Sequence, residues 1–156
     1  MGKEIERKFL VVGDAWRQGS TSSIYRQGYL STHKERTVRV RIAGAQGILT
    51  IKGLTRGATR DEYEYAIPVR DADEMLDQLC EKPIIEKTRY RLTVEGHTFE
   101  IDEFHGDNQG LIVAELELPS ETAAFPRPSW LGREISDDAR YFNSSLVKAP
   151  FRTWKP

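Results

Sequence analysis

The strongest constraint on this chain is a charge of one sign at every second residue, repeated from segment to segment. Glu4 and Glu6, Arg39 and Arg41, Glu62 and Glu64, Glu100 and Asp102, and Glu115 and Glu117 each stand two apart, and Lys87, Arg89 and Arg91 follow one another at the same spacing. Apolar or aromatic residues fill the gaps: Ile5, Val40, Tyr63, Ile101 and Leu116. A period of two is that of a β-strand, whose successive side chains point to opposite faces. Like charges that close repel, and exposed surfaces normally intersperse signs. For any single strand a solvated outer face would account for the pattern. For the whole set, a closed sheet accounts for it better: the charged faces point inward, and acidic strands oppose basic ones across a lumen.

Strand patterns fall at about residues 3–11, 24–30, 37–42, 47–52, 62–67, 85–94, 97–104 and 111–118, with Glu95-Gly96 as a tight hairpin turn. Eight strands close into a barrel wide enough for one small ligand. The expected fold is therefore mainly β: a closed eight-stranded antiparallel barrel with a few outer helices, in one domain spanning residues 1–156. Helices are expected at 71–80, where Met75, Leu76 and Leu79 share a side, and at 136–148, which opens on Ser136-Asp137-Asp138 as an N-cap and acidic first turn. A short helix is expected near 14–17. Residues 119–130, with Pro119, Pro126 and Pro128, form a connection inside the domain. The C-terminal helix is placed to plug or gate one mouth, from which Arg140 or Lys148 could reach a ligand.

A lumen carrying both signs cannot be a dry core, because isolated buried charges are too costly. It must hold water, ions or a charged ligand. Carboxylates suit hard divalent cations such as Mg²⁺ or Mn²⁺, and Arg and Lys suit phosphate oxygens. Together they describe a polyanion bridged by metal ions, the layout of phosphoryl-transfer sites.

Other readings are set aside by what the chain lacks. No glycine-rich loop ends in Lys-Ser or Lys-Thr, so this is not a P-loop phosphate site. With 23 Lys and Arg against 24 Asp and Glu, there is no basic excess for nucleic acid. No run is long and apolar enough for a membrane span, and the charged opening lacks the apolar core of a signal peptide. The single cysteine, Cys80, excludes an internal disulfide and fits a cytoplasmic home. His33, His97 and His105 lack metal-ligand spacing, and Trp16, Trp130 and Trp154 are read as packing residues outside the barrel.

Glu4-Ile5-Glu6-Arg7-Lys8 resembles the E-x-E-x-K signature of the CYTH superfamily, the triphosphate tunnel metalloenzymes. The resemblance runs through Gln27-Gly28-Tyr29-Leu30, Arg39 and Arg41, Lys52, Glu62 and Glu64, Lys87-Thr88-Arg89-Tyr90, Asp102, Glu115 and Glu117, to the stretch from Asp137 to Asn143. It implies a barrel whose tunnel binds triphosphates and divalent metals, and it is similar to the short bacterial inorganic triphosphatase branch. It further implies Glu4, Glu6, Glu115 and Glu117 as metal ligands, with Glu62, Glu64 and Asp102 as further acidic ligands, for two Mg²⁺ or Mn²⁺ ions. Lys8, Arg39, Arg41, Lys52 and Arg89 would bind substrate phosphates. Lys87 as general base, with Tyr29 nearby, and Lys52 would be catalytic, and a metal-bound hydroxide is the rival source of the nucleophile. Glu100 and Arg91 are left between lumen and surface. The expected reaction is hydrolysis of tripolyphosphate to pyrophosphate and phosphate. The rivals are a class IV adenylate cyclase, a thiamine triphosphatase and a non-catalytic polyphosphate or nucleotide binder. The partner is a small-molecule triphosphate, not nucleic acid or membrane, and a homodimer is left open.

Overall fold

A computed structural model describes residues 2–154. The strands are β1 (Gly2–Val11), β2 (Thr21–Ser31), β3 (Arg36–Ala43), β4 (Gln46–Gly53), β5 (Thr59–Ile67), β6 (Ile85–Val94), β7 (His97–Phe104), β8 (Ile112–Glu117) and β9 (Leu131–Glu134), and the helices are α1 (Val69–Gln78) and α2 (Asn143–Lys148). The sheet runs β5-β4-β3-β2-β6-β7-β8-β1, and β5 pairs again with β1, so eight antiparallel strands form a closed barrel. Glu95 and Gly96, both at positive φ, turn β6 into β7, as the two-residue hairpin requires.

Closure depends on β1 serving two neighbours along its length. Its first half, Gly2 to Ile5, pairs with β5, and Glu6 to Leu10 pair with β8. The ninth strand was not anticipated from sequence. Beyond the proline-rich connection, β9 adds to β1 at Phe9 and Val11. It is only four residues long, and a period of two is hard to recognise over that length.

The C-terminal helix also differs from expectation. Residues 136–148 do not form one helix: a 3₁₀ turn at Ala139–Tyr141 precedes the six-residue α2. The Asp138 carboxylate accepts from the Arg140 backbone N–H, so Asp138 caps the 3₁₀ turn. Its end is set by Phe142, whose backbone is extended.

Three apolar clusters hold the barrel. Helix α1 lays Ala72 and Leu76 on Val40 of β3. Gly28 permits this approach, because a Cβ there would lie 2.8 Å from that of Cys80. Trp16 and Trp130 join Phe99, Ile101, Ala114, Leu116 and Leu118 in a second cluster outside the barrel. The third combines Tyr29, Ile85, Phe104, Leu111 and Val113 with Ile135, Tyr141, Leu146 and Val147 of the C-terminal segment, and Trp154 packs against it. Ile85 lies on the face of β6 that carries Lys87, and Val113 on the face of β8 that carries Glu115. The inner faces are thus apolar at one end, where the C-terminal segment closes the barrel, and charged beyond it. Among the described residues no helix is long and apolar enough to cross a membrane.

Candidate active site

The charged part of the lumen encloses a cavity of about 320 Å³. Its walls include Glu4, Glu6 and Lys8 from β1, Arg39 and Arg41 from β3, Lys52 from β4, and Glu62 and Glu64 from β5. Lys87, Arg89 and Arg91 from β6, Glu100 from β7, Glu115 and Glu117 from β8, and Tyr29 complete the set expected from sequence. Glu100 and Arg91, left open above, both face the lumen. Of the expected residues, Asp102 alone does not line the cavity. It is fully buried, and Arg89 Nε (2.8 Å) and Lys87 Nζ (2.7 Å) donate to its two oxygens. Arg89 and Asp102 are direct cross-strand partners, so the pairing follows from register.

The cavity cations divide into two groups. Those on β1, β4 and β6 are paired with acids. Lys8 lies 3.3 Å from Glu115, Lys52 lies 3.1 Å from Glu4 and 3.5 Å from Glu62, and Arg89 reaches Glu100 (3.2 Å) and Glu115 (3.1 Å) as well as Asp102. Burial opposes the charge on Arg89, but Asp102 and Glu115 outweigh it and raise its pKa well above the usual value. Burial likewise opposes ionisation of Glu115, yet Lys8 and Arg89 hold its carboxyl at about 2.

The arginines on β3 and β5 are under-paired. Arg39 donates to Thr50 and meets Glu64 only at 3.8 Å, and its buried Nε has no partner among the described residues. Arg41 donates from Nε to Gln27 Oε1 at 2.8 Å. Burial, with Arg39 and Arg89 nearby, lowers its pKa to about 9. Arg60 donates to the Gly53 carbonyl and the Thr37 hydroxyl. Neither Arg41 nor Arg60 has a carboxylate in ion-pair range among the described residues. Guanidiniums enclosed in a cavity and held mainly by neutral groups favour an incoming anion. Arg60 was missed in sequence because it precedes the predicted strand at 62–67, although it shares the inner face with Glu62.

In the same cavity, Glu6, Glu100 and Glu115 bring carboxylate oxygens within 4.8 Å of one another. Carboxylate oxygens gathered this closely are the ligand type that a hard divalent cation takes. Burial first, then Glu115 and Glu4, push the Glu6 carboxyl well above its usual pKa, a cost that a bound cation would relieve. Glu117 is raised too, by burial and by Glu4 and Glu62.

Lys87 lies at the closed end of the charged zone. Besides Asp102, its Nζ donates to Asn143 Oδ1 at 2.8 Å. Burial, with Arg89 and Arg41, lowers its pKa to about 7 despite Asp102. Among the described residues no hydrogen bond joins Tyr29 to Lys87. Gln27 Nε2 lies 3.3 Å from the Tyr29 hydroxyl and 2.9 Å from Asn143 Oδ1. The C-terminal segment reaches the cavity with Phe142, Asn143 and Ser144. Arg140 and Lys148 are not among the lining residues: Arg140 is exposed and paired with Asp138, and Lys148 is exposed.

Asp102→Ala would leave Lys87 and Arg89 buried without their shared counter-charge. The expected loss is about 3–5 kcal/mol, which for a chain this size lowers the melting temperature by roughly 10 °C. Thermal unfolding checks it, and an unchanged midpoint would mean that the pair is not buried as described.

The CYTH domain model matches residues 2–149. A relative from Acetivibrio thermocellus named inorganic triphosphatase is 54% identical over 155 residues, covering 99% of both chains. One from Nitrosomonas europaea with the same name is 40% identical, covering 92% of this chain and 96% of its own. A crystal structure of an inorganic triphosphatase superposes with a TM-score of 0.67 at 35% identity, over 97% of this chain and 99% of that one. A Pyrococcus horikoshii protein shares the fold alone, with a TM-score of 0.58 at 19% identity over 76% of this chain and 80% of its own. The closed barrel, the family match along almost the whole described chain and relatives covered end to end agree: this chain belongs to the CYTH family.

Proposed function

We propose that the protein is a divalent-metal-dependent inorganic triphosphatase, hydrolysing tripolyphosphate to pyrophosphate and phosphate. The observation that carries this reading is that the under-paired Arg39, Arg41 and Arg60 line the same cavity as the Glu6, Glu100 and Glu115 trio. A phosphate binder needs cations alone. The acidic wall calls for metal ions, Mg²⁺ or Mn²⁺, held by the trio, with Glu4, Glu62, Glu64 and Glu117 available to a second ion. A bound cation supplies neutralisation of phosphate charge. The relatives' names support the same reaction.

Arg39, Arg41 and Arg60 grip the phosphate oxygens, and Lys8, Lys52 and Arg89 meet the charge that develops on the leaving group. Neutral Lys87 accepts a proton from the attacking water. The water oxygen bonds to the terminal phosphorus as the bridging P–O bond breaks and pyrophosphate departs. Asp102 anchors Lys87 and Arg89 and is not assigned to metal.

A substrate without a base fits the aromatic residues of the cavity. Tyr25 has the Arg41 and Arg89 guanidiniums each 4.8 Å from its ring centroid, Tyr29 belongs to the apolar end, and Lys8 lies 5.7 Å from the Phe142 ring. Each ring is already in use, which disfavours stacking of adenine or thiamine. The whole chain acts as one CYTH-like unit on a small molecule in the cytoplasm.

The test is phosphate release from tripolyphosphate, ATP and thiamine triphosphate with Mg²⁺, Mn²⁺ or EDTA. Tripolyphosphate is expected to be the fastest substrate and EDTA to abolish turnover. Cyclic AMP formed from ATP would replace this reading with a cyclase. Binding of tripolyphosphate without turnover of any substrate would leave a binding module.

A further inference from the structure

A neutral lysine amine has two N–H donors and one lone pair. Two acceptors lie against Lys87 Nζ: Asp102 Oδ2 at 2.7 Å and Asn143 Oδ1 at 2.8 Å. They account for both hydrogens of the neutral amine and leave the third position on nitrogen for the lone pair, on a side chain that lines the cavity. Asp102 can only accept when ionised. An amide, by contrast, can present either its oxygen or its NH₂, so the direction of the Asn143 contact has to be enforced.

The enforcement comes from Arg41. A guanidinium has no acceptor, so its Nε must donate, and Gln27 meets it with Oε1 at 2.8 Å. This turns Gln27 Nε2 towards Asn143, 2.9 Å away. Gln27 is fully buried, with no solvent to compensate a reversed amide. Asn143 must therefore offer its oxygen to Gln27, and the same oxygen faces Lys87. Were the Asn143 amide reversed, its NH₂ would donate to Lys87 and consume the lone pair.

We propose that Asn143 is a positioning residue which, oriented by Gln27 and Arg41, keeps the Lys87 lone pair free and aimed into the cavity. This rests on the hydrolase reading and on Lys87 as the proton acceptor. Asn143 opens α2, beyond the last strand, so the C-terminal segment completes the catalytic apparatus as well as closing the barrel. Arg41 also gains a second duty: the guanidinium that faces phosphate orients the base.

The experiment compares wild type, Asn143→Leu and the smaller Asn143→Ala, which cannot clash, in steady-state tripolyphosphate hydrolysis with saturating Mg²⁺. The expected result is a fall in kcat of about 10- to 100-fold, with KM changed less than about 2-fold. Lys87→Ala and Lys87→Ala/Asn143→Ala are then compared in single turnover at excess enzyme. The second substitution should cost no more than about 2-fold when the residue it positions is gone. An unchanged kcat in Asn143→Ala, a rise in KM that carries the whole effect, or full multiplication of the two losses would each overturn the proposal. Absence of wild-type turnover would instead overturn the hydrolase reading.

Discussion

Glu6→Gln is expected to abolish metal-dependent hydrolysis and to raise the melting temperature of the metal-free protein. Both effects have one cause. Burial, Glu115 and Glu4 make the ionised Glu6 carboxylate unfavourable in the folded state and raise its pKa well above the usual value. A group whose folded-state pKa is raised contributes stability below its unfolded pKa and loses it as pH rises through the folded value. At neutral pH in a chelator, native Glu6 therefore strains the barrel, and glutamine relieves the strain while keeping the shape. A gain of about 1 kcal/mol would appear as about 2–4 °C. With metal the order reverses. The charge that strains the empty site is one of the three that would hold a cation, and its loss removes several kcal/mol of charge stabilisation, roughly a 100-fold or greater fall in rate. Melting curves in EDTA and in Mg²⁺ or Mn²⁺ check both halves. A variant less stable than wild type in EDTA, or stabilised by metal as much as wild type, would show that Glu6 is not part of a strained cation site.

Lys87→Met is expected to lower kcat by about 100- to 10,000-fold, the usual span for a positioned proton acceptor. Lys87 must be neutral to accept a proton, and its pKa lies at about 7. The sign is unambiguous: wild-type activity should rise about tenfold per pH unit below that value and level off above it. The limb in kcat/KM reports the free enzyme, whereas the limb in kcat reports the complex, where a bound polyanion favours charged lysine and moves the inflection upward. In Lys87→Met the limb should disappear from the residual activity. Its persistence unchanged would assign the titration to another group, and Lys87 would then serve only as a cation for phosphate.

How far the site was legible in the sequence depended on where each residue falls along its strand. Glu4 and Glu6, Arg39 and Arg41, and Glu115 and Glu117 could be read as inward pairs because each pair lies within a predicted strand with an apolar residue between its members. Arg60, near the start of β5, fell outside the predicted strand and was lost with the boundary. Asp102 carried the right charge at the right parity, yet it became an anchor for Arg89 and Lys87, because pairing register sets it opposite Arg89. Asn143 stood inside a motif with no charge or periodicity of its own to mark it.

By itself the sequence determined the closed, eight-stranded, inward-charged barrel, because a period of two in charge is a local signal and its repetition leaves few ways to avoid like-charge repulsion. Only the tertiary structure decided which cations are neutralised and which stay open to an anion, since that depends on distances between strands remote in the chain. It also decided that a ninth strand flanks β1 and that the C-terminal segment closes one end with apolar residues while lending Asn143 to Lys87. Those contacts join residues far apart in the chain, such as Phe9 with Glu134, and no local periodicity encodes a pairing over such a span.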